Sequence, residues 1–337
     1  MIEACDLWKA FGRQQALRGL NLSVPEGSAY ALVGTNGAGK TTAIRVLMNI
    51  LEADRGAATI LGVDSKRLSP PQLSQIGYVS ENQELPKRLT VSDYLAYLRP
   101  FYANWDKSLE ASLRARLGLP QDRKIGDLSH GMRMKMQLVC ALAFRPKLLV
   151  LDEPLSGLDP LVRDELMESL LQQAGEMTVL ISSHELSEIE GLATHIGFVE
   201  EGRMLFEDSM ADLTARFREV QVIFDREASV PAAAPREWLN VRAVGNAVMF
   251  VDSRFSEASL RAGITGLSGG LSAIVQFLSL LTTALLIALV MHQDNLPGLQ
   301  QDWLVRPIRR RDLALSKLLF LVLLAQGPSS LPNGSRP

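Results

Sequence analysis

The sequence predicts an α/β fold in which a parallel sheet is buried between helices. Three features indicate it: a glycine-rich loop between a strand and a helix, two short apolar runs at residues 148–152 and 178–182, and helical periodicity between the strands. With 337 residues, 47% of them hydrophobic, the chain can bury the cores of about two to three units.

Composition narrows the class of protein. A net charge of −2 argues against a nucleic-acid partner, since binding to phosphate backbones needs a basic surface. Cys5 and Cys140 both lie in apolar stretches, so we expect small core residues and a reducing cytosol instead of a disulfide framework. The first residues, MIEACDLWK, contain early acidic residues and do not resemble a secretory signal, so we expect this part to be cytoplasmic.

The first 33 residues predict an antiparallel entry sheet. Strands are expected near 2–7 and 20–24, with turns at Gly12 and at the Pro25-Glu26-Gly27 segment. A further apolar strand at 29–33 then leads into the glycine-rich loop.

The loop GTNGAGKTT fits the pattern G-x-x-x-x-G-K-[ST], in which backbone N–H groups wrap a triphosphate. After it, apolar residues recur at helical spacing, so a helix N-terminus points at the bound anion. The alternative is an ordinary glycine-rich turn. We call this segment the phosphate loop; its residues are Gly34, Thr35, Asn36, Gly37, Ala38, Gly39, Lys40, Thr41 and Thr42.

Two further motifs follow. Residues 86–127 have helical periodicity and no convincing strand, which predicts a helical subdomain inserted into the core. The segment LSHGM at 128–132, here called the signature segment, opens a helix that runs through Met136 and Leu142. The run LLVLDEP at 148–154 then places two acidic residues at the end of an apolar strand.

Together these motifs resemble the nucleotide-binding subunit of ATP-binding cassette (ABC) transporters over residues 1–205. The resemblance implies a P-loop NTPase with a RecA-like core, an antiparallel β subdomain and an inserted helical subdomain. It also implies ATP and Mg²⁺ as ligands, with Lys40 on the outer phosphates and the Thr41 hydroxyl on the metal.

The resemblance also assigns the catalytic groups. Asp152 is similar to the carboxylate that holds Mg²⁺ through water, and Glu153 to the general base that activates the attacking water. Adjacent residues of a strand point apart, so each acid can serve one task; the alternative is a solvated pair of acids. His184 resembles the histidine that contacts the γ-phosphate, instead of an ordinary structural or exposed histidine. The other histidines, His130, His195 and His292, have no such support.

Phe11 and Asp159 are assigned by position. Phe11 lies where the family stacks an aromatic ring on adenine; packing in the core is the alternative. Asp159 resembles the aspartate that signals between subunits, while Gly157 and Pro160 would otherwise mark an ordinary turn.

The signature segment predicts a second subunit. The phosphate loop already occupies the strand end nearest its own triphosphate, so the glycine of a second motif has little room there. In the family two cassettes pack head to tail, and Ser129 and Gly131 of one would face the γ-phosphate bound to the other. ATP would close this dimer and hydrolysis would open it.

Two residues depart from the family pattern. Glu81 stands where most relatives carry a glutamine that binds Mg²⁺ and contacts the membrane subunit. A carboxylate can still bind the metal, so we expect altered tuning, with Gln83 as a nearby substitute. His130 replaces the first of two usual glycines.

After the cassette we expect a hairpin over 196–206 and an accessory α+β lobe over 206–262. The lobe is predicted to contain a helix opened by Asp208 or Ser209 and strands at 220–224 and 247–251. Such a lobe is typical of bacterial exporter ATPases for drugs, lipids or polysaccharides.

Residues 263–337 predict hydrophobic helices and a disordered tail. The uncharged run 267–291 is long enough to cross a bilayer of about 30 Å, with a buried core helix as the alternative. Residues 313–325 are short for a span, and 302–320 resemble a cytoplasmic part of a permease subunit. A single span would place Arg306 and its neighbours outside, against the positive-inside tendency, so a truncated permease fragment fused to the ATPase competes with a one-span anchor.

The leading functional hypothesis is therefore an ATPase that powers an exporter at the cytoplasmic face of the plasma membrane. Its partners would be a transmembrane permease and a second cassette, identical or not. One alternative is a soluble ABC protein of the translation-associated kind, which usually has two cassettes and basic linkers. Another is a nonproductive fusion that binds ATP without a working permease.

Overall fold

The structure is a computed structural model, which describes residues 1–173, 175, 177–223, 235, 237–256 and 274–277. The chain divides into two compact units, Met1–Met291 and His292–Pro337, and all described residues belong to the first.

The helices and strands follow one another in the alternating order that the sequence predicts. The strands are β1 Ile2–Phe11, β2 Gln14–Val24, β3 Ala29–Val33, β4 Arg55–Ile60, β5 Val63–Asp64, β6 Ile76–Ser80, β7 Leu148–Asp152, β8 Thr178–Ser183, β9 His195–Glu200, β10 Arg203–Ser209, β11 Arg218–Ile223, β12 Trp238–Val244, β13 Ala247–Asp252 and β14 Ile274–Phe277. The α-helices are α1 Lys40–Leu47, α2 Pro70–Leu73, α3 Val91–Leu98, α4 Lys107–Arg116, α5 His130–Leu142, α6 Pro160–Leu171 and α7 Met210–Arg216.

The entry sheet is antiparallel, as predicted, with the order β2-β1-β4-β5. β1 and β2 are longer than expected and pair from Ile2 opposite Val24 to Phe11 opposite Gln14. β4 was not predicted, because its sequence RGAATI is exposed over its first half and lacks a clear alternation.

A six-stranded sheet forms the centre, in the order β10-β9-β3-β8-β7-β6. β3 and β6 to β9 run parallel, and β10 pairs antiparallel with β9 in the predicted hairpin. The register aligns Ser80, Asp152 and Ser182 across three neighbouring strands. Because the carboxyl ends of parallel strands meet at one edge, this edge collects the loops that carry polar residues.

Alternate residues of the central strands enter two separate cores. In β3, Ala29, Ala31 and Val33 pack with the helical insertion, α5 and α6, whereas Tyr30 and Leu32 pack with α1 and the entry sheet. Burial on both faces explains why these strands read as continuous apolar runs.

The helical insertion follows the prediction, and the accessory sheet follows it in part. Residues 86–127 contain α3, α4 and two short 3₁₀ turns. Ser209 caps α7 by accepting a hydrogen bond from the Asp212 N–H at 3.0 Å. The accessory sheet has the order β12-β13-β11-β14. The strands β12 and β14 were not predicted, β14 lies beyond the expected limit at residue 262, and β10 crosses the expected limit at residue 205.

The C-terminal prediction fails at one place. Within the run 267–291 the structure describes only β14, a strand that pairs antiparallel with β11, so a helix is wrong for these four residues. Their sequence, IVQF, is rich in β-branched and aromatic residues that suit a strand. No helix among the described residues has the length and hydropathy needed to cross a bilayer. The rest of 263–337, including the permease-like stretch 302–320, lies outside the described residues.

Candidate functional site

The phosphate loop joins β3 to α1 through a backbone that requires glycine. Gly37 and Gly39 have φ values of 86° and 107°, in the left-handed region that favours glycine. A Cβ atom at Gly39 would lie 2.5 Å from the Ala16 carbonyl oxygen, and one at Gly34 would lie 2.2 Å from the Val199 carbonyl oxygen. The glycines therefore let the loop pack closely against β2 and β9 while its tip is exposed.

Lys40 opens α1 and is buried beneath this loop, with 4% of its surface exposed. Its Nζ donates to the Gly34 carbonyl at 2.7 Å and to the Thr35 carbonyl at 3.2 Å, and it lies 3.0 Å from Glu153 Oε1. The ammonium is thereby fixed between the loop and the strand end that carries the two acids.

Asp152 ends β7 and is held by two hydroxyl groups. Thr41 Oγ1 donates to Asp152 Oδ1 at 3.0 Å, and Ser182 Oγ donates to the same oxygen at 2.9 Å. Burial raises the pKa of the Asp152 carboxyl above its usual range, and these hydrogen bonds offset part of the shift. A buried carboxylate beside a hydroxyl is a donor set of the hard oxygen type that Mg²⁺ prefers.

Replacing Asp152 with Asn should stabilise the protein without nucleotide at pH 7. The folded-state pKa lies above the unfolded one, so this carboxyl lowers stability as pH rises between the two values, and the cost persists above them. The gain of D152N should therefore be present at pH 7 and fade below about pH 3, where the carboxyl is largely protonated in both states. Thermal unfolding at both pH values tests this, with exposed Asp122→Asn as the control; a less stable D152N at pH 7 would contradict it.

Glu153 follows Asp152 in a left-handed backbone conformation, with φ of 50°, which is uncommon for a residue with a side chain. Its N–H donates to Ser182 Oγ at 2.9 Å, so one serine holds both acids. His184 is exposed, and its Nδ1 lies 2.9 Å from Glu153 Oε2. Because a carboxylate accepts, Nδ1 carries the proton, and Nε2 is left as the second polar atom of the ring.

The structure therefore brings four predicted residues to one strand edge. Lys40 and Thr41 come from α1, Asp152 ends β7 and Glu153 follows it, and His184 lies beside them after β8. Glu81 joins them through its backbone, since its N–H donates to the Asp152 carbonyl at 3.3 Å. Gln83 is farther along the same turn, where its N–H donates to the Ser80 carbonyl.

The signature segment lies against α6. Ser129 caps α5 by accepting from the Met132 N–H at 3.2 Å, and a Cβ at Gly131 would lie 3.0 Å from Val162 Cγ1. Asp159 caps α6 by accepting from the Val162 N–H at 3.1 Å. Ser129 and Asp159 thus cap two helices, α5 and α6, whose N-termini are neighbours.

Phe11 ends β1 with 53% of its surface exposed, so the alternative that it packs in the core is wrong. Lys9 Nζ lies 5.9 Å from the ring centroid. The ring is free to stack on a flat group.

Sequence reasoning missed Ser182, which touches both acids. The signal was present in the ISSH sequence, where small hydroxyl residues end a buried strand next to β7. Ser183, its neighbour, donates to Glu188 at 3.1 Å and so braces the turn that carries His184.

The residues fit a nucleotide and a magnesium ion. The loop presents backbone amides at a helix N-terminus, where the dipole favours an anion. Among the described residues there is no cluster of three or more His, Cys, Asp or Glu able to hold a metal by itself. Mg²⁺ at nucleotide sites needs only one or two protein oxygens, because phosphates and water complete its shell.

Comparisons with known proteins agree with this geometry. A sequence model of the family described as ABC transporter matches residues 17–156. The chain is 33% identical to the lantibiotic transport ATP-binding protein SrtF of Streptococcus pyogenes, over 67% of this chain and 99% of that protein. It is 34% identical to the daunorubicin resistance ATP-binding protein DrrA2 of Streptomyces coeruleorubidus, over 66% and 72%. A solved structure of an ATP-binding subunit of an ABC transporter is 28% identical, with a TM-score of 0.58 over 63% of this chain and 91% of that one.

Proposed function

Because the chain belongs to the family of ABC transporter ATP-binding proteins, we propose that two copies of this cassette clamp two ATP molecules head to tail and power an exporter. The chain is an ATP-binding cassette of the kind that hydrolyses ATP to drive transport. The observation that supports the proposed chemistry most is the position of Glu153 between Lys40 at 3.0 Å and His184 at 2.9 Å.

In the proposed reaction Glu153 accepts a proton from the attacking water. Its carboxylate is fixed from both sides, since Lys40 approaches Oε1 and His184 Nδ1–H donates to Oε2. A positioned base of this kind contributes to phosphoryl transfer mainly by orienting the water. His184 Nε2 is then available for a hydrogen bond to the γ-phosphate.

Thr41 and Asp152 would hold the magnesium ion, with Glu81 as a third oxygen ligand. A bound Mg²⁺ supplies positive charge to the phosphate oxygens. Asp152 needs no proton transfer role, because Ser182 and Thr41 both donate to its Oδ1 and keep this carboxylate oriented.

The dimer is proposed from the position of the signature segment. Ser129 and Gly131 lie at the N-terminus of α5, and Gly131 packs closely on Val162 of α6. A helix N-terminus is a suitable anion site. We infer that it binds the nucleotide of a second copy, and that Asp159, which caps the adjacent α6, lies in the same interface.

The direction of transport is inferred from the relatives. One is named for lantibiotic transport and another for daunorubicin resistance, and resistance by transport requires removal from the cell. The chain would then act at the cytoplasmic face of a membrane, against a permease. The division into a cassette over 1–205 and an accessory lobe from 206 onward also belongs to this proposal, but β14 extends the accessory sheet beyond the expected limit at residue 262.

A direct assay tests the function. The purified chain, with its permease if the two copurify, should release phosphate from ATP in Mg²⁺ and stop when the metal is chelated. Equal rates of hydrolysis with and without Mg²⁺ would refute the proposal. So would a chain that binds ATP but does not hydrolyse it under any condition tested.

Phe11→Ala should weaken ATP binding about fivefold or more, because stacking a base on an aromatic ring contributes about 1 to 3 kcal/mol. Binding of inorganic triphosphate, which has no base, should be unchanged. Calorimetric titration with both ligands measures this, and Phe101→Ala, at an exposed ring of the helical insertion, is the matched control. Equal losses for ATP and triphosphate would contradict the stacking role.

A further inference from the structure

His130, the residue that departs from the usual signature, makes a specific contact in this fold. It is the first residue of α5, and its Nε2 lies 3.2 Å from the Ser156 carbonyl oxygen. A carbonyl oxygen only accepts, so Nε2 carries the proton in this hydrogen bond.

Ser156 belongs to the turn that begins at Glu153. The Ser156 N–H donates to the Glu153 carbonyl at 3.3 Å, which closes the turn on the acid itself. Gly157 continues it with φ of 66°, and a Cβ there would lie 4.0 Å from His130 Nε2. The imidazole therefore lies over a turn whose other end is the residue with the left-handed backbone at φ of 50°.

Other contacts join α5 to α6 without reaching this turn. Lys135 of α5 forms an ion pair with Glu165 of α6, and Gly131 packs closely on Val162. These contacts fix how the helices pack. The His130 hydrogen bond instead acts on the backbone next to Glu153.

We propose that His130 is a positioning residue that holds the Glu153 backbone through the turn 153–156. It thereby links the signature segment, which faces the nucleotide of the second copy, to the base that acts on the chain's own nucleotide. This inference rests on the proposed function, in which Glu153 is the base and two copies share each site.

Two amide variants test whether the hydrogen bond to the Ser156 carbonyl is what matters. In His130→Gln the amide nitrogen can extend to the place of Nε2, whereas the shorter amide of His130→Asn cannot. We expect H130N and H130A to lower kcat about three- to tenfold, the effect of one hydrogen bond, with an unchanged KM for ATP. H130Q should recover most of the parent kcat. Glu165→Gln, which weakens the ion pair between the same helices, should keep the parent kcat.

A second readout separates positioning from direct phosphate binding. In a Glu153→Gln background, His130→Asn should form the ATP-dependent dimer at the same ATP concentration as Glu153→Gln alone. The proposal is overturned if H130N keeps the parent kcat or if H130Q is as impaired as H130N. It is also overturned if the kcat of E165Q falls as far as that of H130N, or if the double variant H130N/E153Q no longer forms the dimer. The Asn and Gln pair decides the outcome even if H130A does not fold. A parent chain without hydrolysis would instead refute the proposed function.

Discussion

Glu153→Gln should lower ATP turnover by about two orders of magnitude or more while ATP binding is retained, because a positioned general base contributes roughly 10²- to 10⁴-fold. The amide has the same size, and its oxygen can still accept from His184 Nδ1, but it cannot take a proton from water. Phosphate release at saturating ATP and a separate binding titration measure the two effects.

The control for this variant is Glu168→Gln, a surface glutamate on α6. It changes the same charge at a place that does not touch the site, so turnover should equal that of the parent. If E153Q kept the parent turnover, Glu153 would not be the base. Other groups would then have to position the attacking water.

Lys40→Ala should abolish measurable hydrolysis and weaken ATP binding by about tenfold or more, since one charge-assisted contact contributes about 1.5 to 3 kcal/mol. The ammonium is buried under the phosphate loop, so nearby solvent or side chains cannot replace it. Lys40→Arg should fail almost as badly, because the bulkier planar guanidinium does not fit the place where Nζ donates to the Gly34 carbonyl at 2.7 Å.

Turnover and ATP titration check this prediction, with Lys66→Ala, at a half-exposed lysine in the 3₁₀ turn after β5, as the control. An active K40R would show that positive charge alone is enough there. An active K40A would remove Lys40 from the phosphate site altogether.

The sequence predicted the parts of the site that local patterns determine. The phosphate loop, β7 and β8 are short motifs whose residue types have a direct physical reason, and the structure contains all three. The N-cap of α7 at Ser209 was likewise readable, because capping depends on a few adjacent residues.

What the sequence did not reveal depends on tertiary packing. β4 and β6 lack a strong period of their own and become strands by pairing with β1 and β7. Ser182 reaches Asp152 because β7 and β8 are aligned in register, which no spacing along the chain shows. The contact of His130 with Ser156 joins residues of two helices and a turn in the same way.

The uncharged run 267–291 shows that hydropathy alone does not distinguish a helix from a strand. An uncharged stretch was interpreted as a membrane helix, whereas its described residues Ile274–Phe277 pair with β11. Apolar residues satisfy a buried strand as well as a helix, and the pairing partner decides between them.

The central claim, that each ATP is shared by two copies, is tested most directly by mixing two inactive variants. Lys40→Ala disables the phosphate loop, and Ser129→Asp keeps the cap of α5 while placing a negative charge toward phosphate. A mixed dimer would contain one complete site, made from the phosphate loop of one variant and the signature segment of the other. We predict that the equimolar mixture recovers hydrolysis, up to roughly a quarter of the parent rate by random pairing, while each variant alone is inactive. If the mixture is as inactive as its components, each site belongs to a single chain and the head-to-tail account is wrong.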